Sequence, residues 1–397
     1  MEGQRIKELR VAHFKAFEDA RLPLDDLTVL VGRNGSGKSS LIDALDFMKT
    51  ALSSTLSSAI ERAGGVTDVR RRQAGRGAPF DVSIAVQLDL KGQAFLYGFR
   101  FGPRKSQEAQ DVEFQWVVKE EVLLCSEEKV GFRRTQTTFN SDLPRLAPKD
   151  IEPDALVLPL VAGANKTWSS IWRAIRSIQC CSISPEAMRS EPAVGSGNTL
   201  ERDGRNTGDL LKGILQELEA KEWLLSRLQL VLPGLTSVSS DAFAGRRIIH
   251  FAQQGRASAE VYDFTGRNMS DGTLRTLGIL VALLKRPFPM LVAVDEVDDS
   301  LHPHAIGVIL SALENRTANS QVLVTTHDSE LLSQPSIKGT SIRLVNWDDG
   351  VSNVYRLKKK VIQTINPVDT VGEFLRTNSL FPEATALSNG TKFWTIR

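Results

Sequence analysis

The stretch LVGRNGSGKSS, Leu30 to Ser40, spaces Gly32, Gly37, Lys38 and Ser39 as a phosphate loop does: glycine, four residues, then glycine, lysine and serine. Glycines let the backbone curl until successive N–H groups aim inward, and a helix starting near Lys38 adds the positive end of its dipole. Gly32, Arg33, Asn34, Gly35, Ser36, Gly37, Lys38, Ser39 and Ser40 are therefore the candidate nucleotide-binding residues. In such a loop Lys38 bridges β- and γ-phosphates and the Ser39 hydroxyl ligates Mg²⁺.

A second constellation lies far downstream. In PMLVAVDEVDDSLHP, Leu291–Val294 reads as a short apolar strand with Asp295 and Glu296 at its end. Two carboxylates at the carboxyl edge of a buried strand are costly unless they have a task. The task expected is phosphate chemistry, with Asp295 holding Mg²⁺ through water and Glu296 orienting or deprotonating the water that attacks a γ-phosphate. QVLVTTHD repeats the pattern, with Val322–Thr325 as strand and His327 just past its end. A histidine there can donate to a γ-phosphate oxygen and report which nucleotide is bound. In NMSDGTLRTLGILVALLK, Ser270 suits a helix N-cap and Gly272 leaves room for close approach. Leu274, Leu277, Ile279, Leu280, Leu283 and Leu284 then make the following helix strongly apolar.

Elements must hold these residues in place. Strand signals run from Ile6 to Phe14 and from Ala20 to Leu24, and the apolar run LTVLVG ends at glycine, as a buried strand feeding a loop should. Leu41, Ile42, Leu45, Met48 and Leu52 then fall on one helical face. From Phe80 to Phe139 four alternating stretches predict an antiparallel sheet. Between Asp150 and Leu235 the signal turns helical, clearest in a stripe of Leu210, Leu211, Ile214, Leu215 and Leu218 that Pro233 stops. EPAVGSGNTLERDGRNTG predicts a mobile loop. No heptad pattern persists, which argues against a long coiled-coil arm. The fold class expected is α/β, a parallel-sheet core with an antiparallel β subdomain and a helical insertion. The boundaries expected are 1–150 for a first lobe, 151–240 for the helical insertion, 241–360 for a second lobe and 361–397 for a carboxyl-terminal extension.

Composition bounds the partners. With 397 residues, 41% hydrophobic and 24% charged, the chain can bury a sizeable core. A formal charge of +2 gives no global field toward nucleic acid, so any DNA contact must come from local patches. The candidates are Arg70, Arg71, Arg72 and Arg76, then Arg246 and Arg247, then Lys358, Lys359 and Lys360. Cys125, Cys180 and Cys181 lack zinc-type spacing and read as packing or surface thiols, which suits a reducing cytoplasm. His302 and His304 lack a third ligand nearby, so HPH reads as structure rather than a zinc site. No leader or spanning segment is expected, and the location expected is cytoplasmic.

The motifs LRVAHFKAFEDARLPLDDLTVLVGRNGSGKSSLIDAL, SDGTLR, DEVDDSLHP and TTHD occur in the order of the ABC-type ATPases of the SMC, RecF and OLD kind. The chain resembles that group, and within it the bacterial stand-alone ATPases found in phage-defence loci. The resemblance implies a P-loop fold of ABC type that uses ATP and Mg²⁺. It implies Lys38 and Ser39 in the phosphate loop, Ser39 and Asp295 on the metal, Glu296 as catalytic carboxylate and His327 as switch histidine. It also matches Ser270, Asp271 and Gly272 to the signature, which meets the γ-phosphate held by a second copy. Asp298, Leu301, His302 and Pro303 match the loop lining that dimer interface. Asp271 and Thr273 stand where the group usually has glycine and glutamine. Gln73 and Gln87 are the two candidates for the glutamine of the Q-loop.

The implied mechanism is a homodimer, or a higher homo-oligomer, whose heads sandwich ATP and part on hydrolysis. About forty residues follow Leu357, too few for the nuclease domain of the OLD relatives, so a nuclease-like effector is expected as a separate protein. DNA is a further expected partner, and no membrane is. Two alternatives stay open. One is the nucleotide-binding subunit of a membrane transporter, in which the signature lies closer to the phosphate loop than the roughly 230 residues separating Lys38 from Ser270. The other is a scaffold that keeps ATP without turning it over.

Overall fold

A computed structural model describes residues 3–396, apart from 73–80, 106–113, 127–130, 144–145, 147, 149, 196, 198, 256–259, 335, 365–370, 377–381, 384, 389 and 391–392. In chain order the strands are β1 (Gln4–Phe14), β2 (Phe17–Pro23), β3 (Leu27–Val31), β4 (Val82–Leu90), β5 (Gln93–Lys105), β6 (Phe114–Cys125), β7 (Phe132–Thr135) and β8 (Phe139–Ser141). Then come β9 (Gln179–Cys181), β10 (Leu235–Phe243), β11 (Arg246–Gln254), β12 (Val261–Thr265), β13 (Leu291–Val294), β14 (Gln321–Thr326), β15 (Ile342–Asp348) and β16 (Val351–Arg356). Two compact units form. One comprises Met1–Ile178, Gly339–Gln363 and Phe381–Arg397, the other Gln179–Lys338 and Thr364–Leu380.

In the first unit a seven-stranded antiparallel sheet runs in the order β2-β1-β4-β5-β6-β7-β8. Alternation of apolar and polar residues fixes its register, with Leu9 opposite Val86 and Val11 opposite Ile84. The phosphate-loop helix, Lys38–Ser53, buries Leu41, Ile42, Leu45, Met48 and Leu52, the face its spacing predicts. Its Phe47 stacks on Phe101 of β5 at 5.3 Å between ring centroids, so helix and sheet share one core. Each such buried aliphatic or aromatic side chain contributes roughly 1.5–3 kcal/mol. β15 pairs parallel to β3 and antiparallel to β16, which flanks the loop-bearing strand with two strands from the far end of the chain. Arg10, fully buried, ties in the carboxyl-terminal segment by donating to the carbonyls of Phe393 and Thr395 as well as to Glu8 and Gln87.

In the second unit β13 pairs parallel with both β14 and β9, so three strand ends point the same way. β10, β11 and β12 form a separate antiparallel sheet. The predicted leucine stripe is broken. Two helices, Thr207–Ile214 and Leu218–Val231, replace one, and Leu218 is 69% exposed. The face that packs is Leu211 on the first and Ala220, Leu224 and Leu228 on the second. The kink at Leu215–Glu217 rotates the second helix away from the register that a continuous 3.6-residue period assumes. The glycine- and asparagine-rich stretch is a loop, yet it is anchored at both ends rather than free, with the Val194 N–H donating to the Gly245 carbonyl and the Pro192 carbonyl accepting from the Arg247 N–H near its start. Buried Asn206 accepts from the Glu201 N–H and donates to the Thr199 carbonyl, and Ser182 and Ser184 donate to the carbonyls of Arg202 and Asp203. Among the described residues no helix is long and apolar enough to cross a membrane.

Candidate functional site: a phosphate loop and an acidic strand end

The nine loop residues belong to the first unit, and the loop is shaped by what its glycines avoid. A Cβ on Gly32 would overlap the Val345 carbonyl oxygen of β15. Gly37 has φ 103°, and a Cβ there would come within 2.8 Å of the Ser352 hydroxyl. Gly35, at φ 78°, faces open space, so conformation alone selects glycine there. The helix that follows has Gly37 at its N-cap, no side-chain cap and no acidic residue in its first turn, an arrangement that suits an anion. Lys38 is buried, and its Nζ donates to the carbonyls of Gly32 at 2.7 Å and Arg33 at 3.0 Å. Among the described residues the buried Ser36 hydroxyl has no partner, as is expected of a group aimed at a bound ligand. These features fit a polyphosphate.

In the second unit Asp295 follows β13, with its N–H donating to the Cys181 carbonyl at the end of β9. Thr325 of β14 joins the two acidic residues. Its hydroxyl donates to Asp295 Oδ1 at 2.6 Å and accepts from the Glu296 N–H at 2.7 Å. Glu296 has φ 48°, a left-handed conformation that costs a non-glycine residue of order 1 kcal/mol or more. It is held there from both sides, by Thr325 on its N–H and by Arg275 Nη1 on its carbonyl at 3.0 Å. Thr326 likewise donates to Asp298 Oδ2 at 2.8 Å, and burial pushes the Asp298 carboxyl up despite that bond. His327 is exposed, directly after β14. Hydroxyl and carboxylate oxygens, as Ser39 and Asp295 offer, are the donors Mg²⁺ prefers.

The signature helix, Asp271–Leu284, starts as its sequence predicts. Ser270 caps it by accepting from the Thr273 N–H at 3.2 Å, and a Cβ on Gly272 would meet the Ser300 carbonyl at 3.0 Å. Buried Arg275 binds this helix to the acidic strand end. Besides Glu296 it donates to the carbonyls of Asp299 and Ile183, and it pairs with Asp299 Oδ2 at 2.9 Å. Ser270, Asp271, Gly272, Asp295 and Glu296 thus belong to one braced assembly within the second unit, and His327 lies in the same unit just past the strand that carries Thr325.

Thr325, Arg275 and Arg189 are missed by the motif reading, because each acts through a hydrogen bond to a distant segment. The only hint is that Thr325 and Arg275 lie inside TTHD and SDGTLR. Of the Q-loop candidates, Gln73 lies outside the described residues. Gln87 is buried in β4 against Arg10, far in topology from any parallel strand end. Besides β14, the strand paired with β13 is β9, and its end leads to Ser182. The basic clusters are less available than their charge suggests. Arg247 is buried against Asp209 at 2.7 Å, Arg71 pairs with Glu18 and Arg72 with Asp68, and Arg246 donates to the Ser190 and Glu191 carbonyls. Arg76 lies outside the described residues, while Lys358, Lys359 and Lys360 are exposed. His302 accepts from the His304 N–H as the cap of helix Pro303–Thr317, a structural role.

Fold and site define an α/β protein built like an SMC head, with a phosphate loop and an acidic strand end. Residues 5–352 match the RecF/RecN/SMC N terminal domain, and the chain belongs to that family. A solved SMC head bound to the C-winged helix domain of ScpA aligns over 90% of this chain and 99% of its own. The TM-score is 0.51 at 16% identity, a likeness of fold. Among curated proteins, a DNA double-strand break repair Rad50 ATPase from Halobacterium salinarum is 40% identical over 99 residues, covering 21% of this chain and 11% of its own length. An OLD nuclease from Thermus scotoductus is 44% identical over 43 residues, covering 11% of this chain and 8% of its own. The chain thus matches about a tenth of the length of these curated relatives.

Proposed function

We propose that this chain binds and hydrolyses Mg-ATP, and that ATP controls the pairing of two copies in a DNA-related task. The phosphate loop holds the nucleotide, Lys38 meeting its β- and γ-phosphates and Ser39 and Asp295 serving Mg²⁺. When bound, Mg²⁺ neutralises charge on the phosphate oxygens. Glu296 takes the proton of the attacking water, and His327 donates to the γ-phosphate. Ser270 and Gly272 meet the nucleotide of the second copy, and hydrolysis removes that bridge. ATP is then a ligand with different affinity for paired and separate states, which is what a switch requires.

The observation that carries this reading is Glu296, kept at φ 48° by Thr325 and Arg275 at a strand end in a chain that also carries a phosphate loop. Strain maintained by two braces points to function rather than packing. The kinship with a Rad50 ATPase and an OLD nuclease supports a DNA-linked role. The resemblance noted above supports a finer one, cytoplasmic phage defence with a separate nuclease-like effector. Turnover of Glu296→Gln tests the core of the proposal. Hydrolysis is expected to fall by about 10²–10⁴-fold with nucleotide binding retained, and turnover equal to the parent would overturn the assigned base. Asp271 in the signature favours one second reading, an ATP-binding scaffold. A parent protein that binds ATP yet turns it over no faster than a protein-free control would select it, whereas equal turnover in an active parent and the variant bears only on the base.

A further inference from the structure

Asp271 poses an electrostatic problem. At the first helical position its carboxylate is favoured by the helix dipole, yet a polyphosphate brought to the same turn would meet like charge. Arg189 answers it. Its Nη2 donates to Asp271 Oδ1 at 2.5 Å and to the Met269 carbonyl at 2.8 Å, so it spans Ser270 from one side to the other.

Arg189 is delivered there by a built element. β9 ends at Cys181, Ser184 caps the short helix Pro185–Arg189 by accepting from the Ala187 N–H, and Met188 is buried. Ile183 packs so closely on the signature helix that a Cβ on Gly278 would come within 2.8 Å of it, and Arg275 holds the Ile183 carbonyl at 2.8 Å. The segment bearing Arg189 is therefore clamped to the helix whose first turn it serves. The neighbouring cation is committed elsewhere, since Arg267 pairs with Glu191 at 2.7 Å. Arg189 remains 28% exposed, and its guanidinium fork has donors beyond these two contacts.

We propose that Arg189 is a positioning residue of the signature: it neutralises Asp271 and so allows Ser270–Gly272 to accept the polyphosphate presented by a second copy. The inference rests on the ATP-controlled pairing proposed above. It explains how an acidic residue can occupy a position where the wider group carries glycine. The incoming phosphate meets a guanidinium–carboxylate pair instead of a bare anion.

Four full-length proteins test it by light scattering across a Mg-ATP titration, each on the Glu296→Gln background. Arg189→Ala is expected to weaken ATP-dependent association on the order of tenfold. Binding of a fluorescent ATP analogue to the dilute chain stays unchanged, and the association defect shrinks as salt is raised. Arg189→Lys recovers part of the loss. Adding Asp271→Gly to Arg189→Ala restores association, and Asp271→Gly alone pairs at least as tightly as the background protein. An Arg189→Ala protein that associates normally overturns the proposal, as does a double variant that stays defective. If Arg189→Ala does not fold, weakened association in Asp271→Gly alone overturns it equally. A background protein that ignores Mg-ATP altogether instead sinks the pairing reading, and this proposal falls with it.

Discussion

The phosphate loop and the acidic strand end reach a fixed geometry by opposite means. The loop is made of backbone: Gly32, Gly35 and Gly37 are selected by a carbonyl that leaves no room and by positive φ, and its organising contacts lie within about twenty residues of Lys38 or on one neighbouring strand pair. The strand end is made of side chains reaching across sequence, Thr325 to Asp295 and Glu296, Arg275 to three carbonyls, Arg189 to Asp271. A backbone site tolerates least where a glycine faces a wall, as Gly32 does against Val345. A braced site should degrade by degrees, with chemistry lost before binding.

The largest effect should come from the backbone site. Gly32→Ala forces a methyl against Val345, with a cost of roughly 3 kcal/mol or more and loss of nucleotide binding, both readable from thermal melts with and without Mg-ATP. Lys38→Ala should fold, yet bind ATP on the order of a hundredfold more weakly because charge-assisted bonds to phosphate vanish. A variant of Gly32 that keeps full affinity would erase the contrast.

Next comes Arg275→Leu, which strands three carbonyls and should destabilise by about 3 kcal/mol in a urea titration while leaving the phosphate loop intact. Thr325→Val removes two hydrogen bonds without changing volume much. It should cost about 1–3 kcal/mol and lower turnover at least tenfold with ATP affinity unchanged, and Thr325→Ser should recover both. Loss of affinity in Thr325→Val would mean the two sites are not built independently.

The smallest effect concerns pH. Burial lifts the Glu121 carboxyl, while hydrogen bonds from the Val157 and Leu158 N–H groups at 2.5 and 2.9 Å pull the other way. Between its ordinary and raised values the folded chain holds a proton that the unfolded chain has released. Stability contributed by Glu121 is therefore greatest below the ordinary carboxylate range and falls as pH rises through the folded value. Urea midpoints should show that slope, and Glu121→Gln should flatten it.

The same contrast explains what could be read from the chain alone. The loop, its helix face and the strands β3, β13 and β14 are local, and local periodicity and glycine spacing announce them. The leucine stripe failed as one helix because the kink at Leu215–Glu217 carries no proline or glycine to betray it. The anchoring of the loop before Thr207 was not legible because composition sees Asn206 as a turn former, not as a buried bridge. Arg247 read as a surface charge because its partner Asp209 sits on another element. Thr325 and Arg189 were silent for the same reason, since a hydroxyl or guanidinium reveals its role only once its acceptor is in place.

ATP-controlled pairing is read most plainly from the mass of the full-length Glu296→Gln protein by light scattering, with and without Mg-ATP. A monomer that doubles in mass when nucleotide is added is expected. A mass unchanged at saturating nucleotide would contradict that pairing.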